Sequence, residues 1–219
     1  MEKKTVIVTA GGTREFIDPI RFIGNPSTGK TGYAIAKAFL KRNFNVILIS
    51  APTCLKIPKH ENLKFISVVS AIDMKKAIDE NFDNADIIIS AAAISDYRPE
   101  KKFDFKIKKT EDEINLKLIR NPDILEELGK RKGNKILVGF SVETENLIEN
   151  SKLKLKNKNL DLIVANDISS FGSEKSKVTI IKSNGEILNL PLMSKQKIAN
   201  KIVEIVIEIL KQRNKWQNC

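Results

Sequence analysis

Six short apolar runs set the limits on what this chain can fold into. TVIVTA (5–10), NVILIS (45–50), LKFISVV (63–69), DIIISAA (86–92), KILVGFS (135–141) and DLIVAN (161–166) are rich in Ile and Val and apolar on both faces. Runs of that kind suit a parallel sheet covered by helices on each side; a half-solvated antiparallel sheet would alternate apolar with polar. The stretches between them read as helices. GYAIAKAFLKR (32–42) aligns Ala34, Ile35, Ala38 and Phe39. SAIDMKKAIDEN (70–81) opens at a Ser cap, and NPDILEELGKR (121–131) at an Asn cap with Pro122 in the first helical position. ETENLIENSKLKLKN (143–157) aligns Leu147, Ile148, Ser151 and Leu155. The alternation predicts an α/β fold, Rossmann-like and doubly wound, around a mainly parallel sheet. KVTIIKSNGEILNL (177–190) predicts a C-terminal β-hairpin around Asn184-Gly185, followed by a closing helix over SKQKIANKIVEIVIEILKQR.

At 219 residues the chain is expected to be a single domain, 1–219. One segment breaks the rhythm. PEKKFDFKIKKTEDEINLKL, about 99–118, has no helical period, and its end, EINLKL, alternates like a strand. It is too long for an ordinary connection and reads as a functional flap or arm. The formal net charge of +11 suits polyanionic partners. The lysines are spread along the chain and aromatic residues are 6%, so phosphorylated small molecules fit better than nucleic acid. Two cysteines without a Cys-x-x-Cys, and a single histidine, His60, in a polar stretch give no metal-ligand pattern. No apolar run approaches the roughly 20 residues that cross a bilayer. The N-terminus reads as a first strand rather than a signal segment. A cytoplasmic location, away from membranes, is the expectation.

Three motifs invite a functional reading. GNPSTGKT (24–31) fits the phosphate-loop pattern G-x-x-x-x-G-K-[ST]. A phosphate loop leaves a buried strand directly, yet TVIVTA ends near Ala10 and GGTREFIDPIRFI intervenes. DLIVAND, ending at Asp167, imitates the acidic strand end such proteins use, so spacing alone keeps a P-loop NTPase, or another nucleotide-binding α/β protein, as the alternative. Tyr97-Arg98-Pro99-Glu100-Lys101 matches Tyr-x-x-x-Lys, but Pro99 disfavours the helix that pairing needs. Gly11 and Gly12, just after the first strand, let a backbone approach an anion closely.

Taken together, VTAGGTREFIDPIRFIGNPSTGKTGYAIA, SAAAISDYRP, KIKK, NPDILEEL, VGFSVETE and LDLIVANDIS closely resemble the phosphopantothenate–cysteine ligase family, also called phosphopantothenoylcysteine synthetase. The blocks stand in the family's order and cover most of the chain. In many bacteria this ligase is fused behind a flavin-dependent decarboxylase; here the resemblance implies the stand-alone bacterial type. It implies that 4′-phosphopantothenate is joined to L-cysteine through an acyl-cytidylate, with CTP as co-substrate, Mg²⁺ as cofactor and pyrophosphate and CMP released. Such chemistry needs no protein nucleophile, only positioning and charge stabilisation.

Residue by residue, the resemblance implies that Asn25 and Lys106 are catalytic, Lys106 on the flap, closing over phosphates. Arg21, Gly11, Gly12 and Asn25 are implied in substrate binding. Ser90, Ala91, Ala92 and Asp96 are implied to touch the nucleotide, Pro122, Asp123, Ile124 and Leu125 its base, and Phe140 the nucleoside. Lys154 and Lys158, one helical turn apart, match nucleotide-binding lysines, while Lys152 and Lys156 point to solvent. The motif assigns no Mg²⁺ ligands. Gly24 stands where the family usually has serine, and Thr31 where it has an apolar residue. The family is dimeric, which casts EINLKL as a strand pairing across a homodimer.

Overall fold

The computed structural model describes residues 3–108, 113–167 and 175–217. In chain order they form β1 (Thr5–Ala10), β2 (Arg14–Phe16), β3 (Phe22–Gly24), α1 (Lys30–Leu40), β4 (Asn45–Ser50), β5 (Leu63–Ser67) and α2 (Ala71–Asp79). There follow β6 (Ile87–Ser90), β7 (Tyr97–Pro99), β8 (Leu118–Arg120), α3 (Ile124–Arg131), β9 (Ile136–Glu143), α4 (Leu147–Asn157) and β10 (Leu162–Asp167). The hairpin β11 (Lys175–Lys182) and β12 (Ile187–Ser194) and the long helix α5 (Lys195–Gln217) complete the fold. Among the described residues no helix is long and apolar enough to cross a membrane.

Eight strands form one sheet in the order β12-β11-β10-β9-β6-β1-β4-β5. From β10 to β5 every neighbouring pair is parallel, and the pairs β10–β11 and β11–β12 are antiparallel. The apolar runs are explained by what covers them. Val6, Val8, Leu48, Ile87 and Ile89 pack on one side with α1 and α5. Ile7, Ile47, Ile49, Ile88 and Leu137 pack on the other with α2, α3 and partly buried residues of α4. Successive side chains of a strand point to opposite faces, so both sets must be apolar.

The strand order reverses beside β1: the chain first adds β4 and β5 on one side, then β6, β9 and β10 on the other. In open α/β sheets a crevice opens at that point, outside the carboxyl ends of the strands. Here it is bounded by the loops after β1 and β6, held together by Ala93 N–H donating to Gly11 O (2.8 Å) and Thr13 N–H to Ala93 O (3.2 Å).

Local boundaries differ from the sequence expectation for identifiable reasons. α3 starts at Ile124 with Asp123 as its cap, the carboxylate accepting from Glu126 N–H; Asn121 does not cap it. Asn121 is buried and committed elsewhere: its side chain donates to Ser95 O (2.8 Å) and accepts from Arg98 (3.0 Å). α4 starts at Leu147 because β9 continues through Glu143 and Asn146 turns the chain at φ 48°. The ribbon of β7 and β8 closes the base of the flap, Pro99 opposite Leu118. Of EINLKL only Leu118 enters a strand, and that strand pairs within the chain.

Gly129 of α3 lies against the Lys158 carbonyl at the end of α4, while Asn159 donates to Gly129 O (2.9 Å). A Cβ at 129 would collide with that carbonyl, which is backbone and has little room to yield. Gly129→Ala is therefore expected to lower stability by about 1–3 kcal/mol, read as a lowered urea midpoint at unchanged slope.

Candidate functional site

A cavity of about 830 Å³ fills the crevice. Its floor is made by the carboxyl ends of β6, β9 and β10, through Ser90, Phe140 and Asn166. The loop after β6 is fixed to the loop after β1: Thr9 Oγ1 accepts from Ala92 N–H (3.1 Å) and Thr13 Oγ1 from Ser95 N–H (3.0 Å). Asn25 reaches across from the segment between β3 and α1, its amide donating to Ile94 O (3.2 Å). The approach is close: a Cβ on Gly12 would lie 2.5 Å from Asn25 O. Gly11 adopts φ 79°, and a Cβ there would meet Ala51 O at 2.7 Å. Gly12 thus lets backbone close up beside Asn25, while Gly11, buried and not part of the cavity lining, lets the chain after β1 pass close to Ala51.

Thr28, Gly29, Lys30 and Thr31 bring the N-terminus of α1 to the cavity wall. Its first turn has no acidic residue and no side-chain cap, so the positive end of the helix remains available to an anion. On the opposite wall Pro122, Ile124, Leu125 and Phe140 present apolar surface. Lys154 of α4 and Lys158, the residue that caps that helix, stand beside it, each paired with a carboxylate: Lys154 with Glu143 (2.6 Å) and Lys158 with Asp123 (2.7 Å). Burial alone would raise the Asp123 carboxyl. Hydrogen bonds from Lys158 and Glu126 N–H, with the charges of Lys158 and Arg120, outweigh it and hold the group below its ordinary range. An apolar slot, cations and exposed backbone donors are what a nucleotide needs: a surface for the base and positive charge for the phosphates.

The structure brings Asn25, Ser90, Ala91, Ala92, Asp96, Pro122, Asp123, Ile124, Leu125, Phe140, Lys154 and Lys158 to one cavity. Lys152 and Lys156 are exposed. Gly12 lines a smaller pocket of about 290 Å³ that shares Asn25, Pro26 and Ser27 with the main one. Arg21 and Lys106 stand outside the main wall. The Arg21 guanidinium bonds Asp18 (2.9 Å) and Ile107 O (2.6 Å), and Lys106 is exposed on the flap. Sequence reasoning missed Asn121, Asn166, Ser176, Lys195 and Lys30, which also line the cavity. Asn166 carried a usable signal, since it closes an apolar strand. Lys30 belongs to the phosphate-loop pattern, whose other residues gave no reason to single it out.

That pattern lacks its framework. The strand before GNPSTGKT is β3, paired only with β2 and outside the main sheet, while β9 and β6 separate β10, which ends at Asp167, from β1. Tyr97 lies in strand β7, so Tyr97 and Lys101 share no helix. Among the described residues no group of three or more His, Cys, Asp or Glu side chains is placed to hold a metal ion. Asp96 and Asp123 bring carboxylates to the cavity; Asp123 is already paired with Lys158, which leaves Asp96 as the carboxylate placed to meet a cation.

Asp18 and Asp123 give the fold an acid limit. Burial would raise Asp18, but backbone N–H groups of Arg21, Ile20 and Ile107 and the Arg21 charge lower it from 3.8 to about 2. A carboxyl depressed in the folded state adds stability above its unfolded pKa and loses it as pH falls toward the folded one. The urea midpoint is expected to decline as pH drops from about 4 to about 2. An Asp18→Asn chain should show a shallower decline.

A model of the family described as the DNA/pantothenate metabolism flavoprotein C-terminal domain matches residues 1–210. The chain is 45% identical over 216 residues to the coenzyme A biosynthesis bifunctional protein CoaBC of Bacillus subtilis (strain 168), covering 97% of this chain and 53% of that protein. It is 44% identical over 207 residues to the protein of the same name from Haemophilus influenzae, covering 93% and 51%. The crystal structure of a C-terminal domain of coenzyme A biosynthesis bifunctional protein CoaBC matches with TM-score 0.84 at 37% identity, over 97% of this chain and 98% of that one. The chain spans about half the length of the curated relatives it matches.

Proposed function

The chain belongs to the family of the DNA/pantothenate metabolism flavoprotein C-terminal domain, and from that membership we propose that it is a phosphopantothenate–cysteine ligase of coenzyme A biosynthesis. The observation that carries the reading is the cavity itself, where Asn25 and the α1 N-terminus face an apolar, lysine-flanked wall across one continuous space.

In this reading the carboxylate of 4′-phosphopantothenate attacks the α-phosphorus of CTP and pyrophosphate leaves. The amine of L-cysteine then attacks the acyl carbon, CMP departs with the C–O bonding pair, and the amine proton passes to solvent. Ile124, Leu125 and Phe140 hold the base, with Pro122 and Asp123 at its edge. Lys154 and Lys158 offset phosphate charge from α4, and the Ser90–Ala92 backbone and Asp96 border the nucleotide. Asn25 supplies an uncharged donor beside the activated acyl group, where a carboxylate would repel it. Lys106 closes from the flap over the developing charge, and Gly11, Gly12 and Arg21 serve the substrate end. A Mg²⁺ held chiefly by the triphosphate, with Asp96 as the cavity carboxylate able to meet it, would offset part of the phosphate charge. A cytoplasmic homodimer completes the proposal, with the exposed Ile114 and Leu118 of the 113–118 segment at its interface.

The test omits cysteine. Protein, phosphopantothenate, Mg²⁺ and CTP or ATP are mixed and pyrophosphate is followed. Release that depends on phosphopantothenate, and product formation once cysteine is added, are expected with CTP favoured. Orthophosphate released without phosphopantothenate would instead mark a P-loop-type NTPase and overturn the ligase reading.

A further inference from the structure

One carboxylate does more than its turn requires. Asp18 sits between β2 and β3 with its side chain wholly buried. Its Oδ1 accepts from the backbone N–H of Ile20 and of Arg21, both at 2.8 Å. Those two bonds close the turn, and an asparagine oxygen would make them equally well. Oδ2 is spent differently. It accepts from Ile107 N–H (3.2 Å), 89 positions along the chain, and pairs with the Arg21 guanidinium (2.9 Å). The same guanidinium donates to Ile107 O (2.6 Å). Both polar groups of Ile107 are thus held by the Asp18–Arg21 pair, and Phe103 N–H donates to Ile17 O (2.8 Å) beside them. Lys106 is the residue immediately before the gripped one.

We infer that Asp18 is a positioning residue: its buried carboxylate locks the Arg21 guanidinium and the Ile107 backbone into one unit and thereby sets where Lys106 stands. The inference rests on the ligase reading, in which Lys106 meets substrate phosphates. It requires the carboxylate, not merely the turn. An asparagine keeps an oxygen for Ile20 and Arg21, but its amide nitrogen faces Ile107 N–H as a second donor and holds no cation. The low pKa of Asp18, about 2, keeps the clamp charged at any working pH.

The experiment combines Asp18→Asn and Lys106→Ala in a double-mutant cycle of kcat/KM, with amide hydrogen exchange at Ile107 and the Tm of each chain. Asp18→Asn is expected to fold with a Tm lowered by several degrees, since the charge that stabilises the turn is lost, while Ile107 exchanges roughly tenfold faster or more. Its kcat/KM should fall roughly 10–100-fold in the wild-type background and by a clearly smaller factor once Lys106 is alanine, the remainder reporting the released Arg21. Equal losses in both backgrounds would show a merely structural carboxylate and overturn the role. Should Asp18→Asn fail to fold, Ile107→Pro removes the flap's donor and leaves the Asp18 turn intact. The same non-additivity with Lys106→Ala is expected, and additive losses refute the proposal. A wild-type protein without ligase activity overturns the role together with the ligase reading. An active protein with unchanged Ile107 exchange in Asp18→Asn overturns the role alone.

Discussion

Asn25→Asp is expected to lower ligation by about 10²–10³-fold or more while leaving the fold intact. The side chain is exposed on the segment between β3 and α1, and it donates to Ile94 O at 3.2 Å. Aspartate is the same size, so packing changes little. The chemistry changes twice. The donor becomes an acceptor that faces a carbonyl, and a negative charge enters a cavity proposed to hold a carboxylate, a triphosphate and later an acyl phosphate. That charge repels the proposed carboxylate and phosphates, and most strongly the state in which charge builds on the phosphate. Pyrophosphate release without cysteine and product formation with it should be measured separately. Loss of either step at an unchanged Tm is the expected result. Turnover like the wild type in both would remove Asn25 from the mechanism.

The elements legible in the sequence were those whose side chains carry a period. TVIVTA and NVILIS became β1 and β4 residue for residue, because both faces of each strand are covered and nothing competes with the apolar pattern. β2 and β3 escaped, being three residues each and stabilised by pairing with one another. The start of α3 was misplaced because Asn-Pro is a good helix opening in isolation. Only the fold reveals that Asn121 is claimed by Ser95 and Arg98. The nucleotide wall was legible for a topological reason: its residues close apolar strands or open the next helix, where the crevice of a doubly wound sheet must lie. Ser176 and Lys195 were not. They reach the cavity because the terminal hairpin extends the sheet beyond β10 and α5 returns across the face that α1 covers. Arg21 shows the other limit. Its fork suits an anion, and the sequence shows Asp18 three residues away, but not the flap backbone that both of them hold.

Asp161→Ala is expected to be the most destabilising single change outside the cavity. Asp161 is 4% exposed and Lys132 8%, and they pair at 3.0 Å. The same carboxylate accepts from Leu137 N–H (2.8 Å) and pairs with Arg213 of α5, whose guanidinium also donates to Asn134 O and Lys135 O. One side chain therefore joins the start of β10, the start of β9 and the far end of α5. Removing it leaves a buried ammonium without its carboxylate, which costs about 3–5 kcal/mol. For a chain of this size that corresponds to a Tm lower by roughly 6–20 °C. The penalty belongs to the stranded charge more than to a lost attraction, and a second chain separates the two. Asp161→Asn with Lys132→Met keeps an oxygen for Leu137 N–H and removes the buried ammonium, while Arg213, partly exposed, can turn to water. That double variant is expected to lie within about 2 kcal/mol of wild type. If it is as unstable as Asp161→Ala, the ion pair itself, rather than the cost of an unpaired buried charge, holds these three elements together.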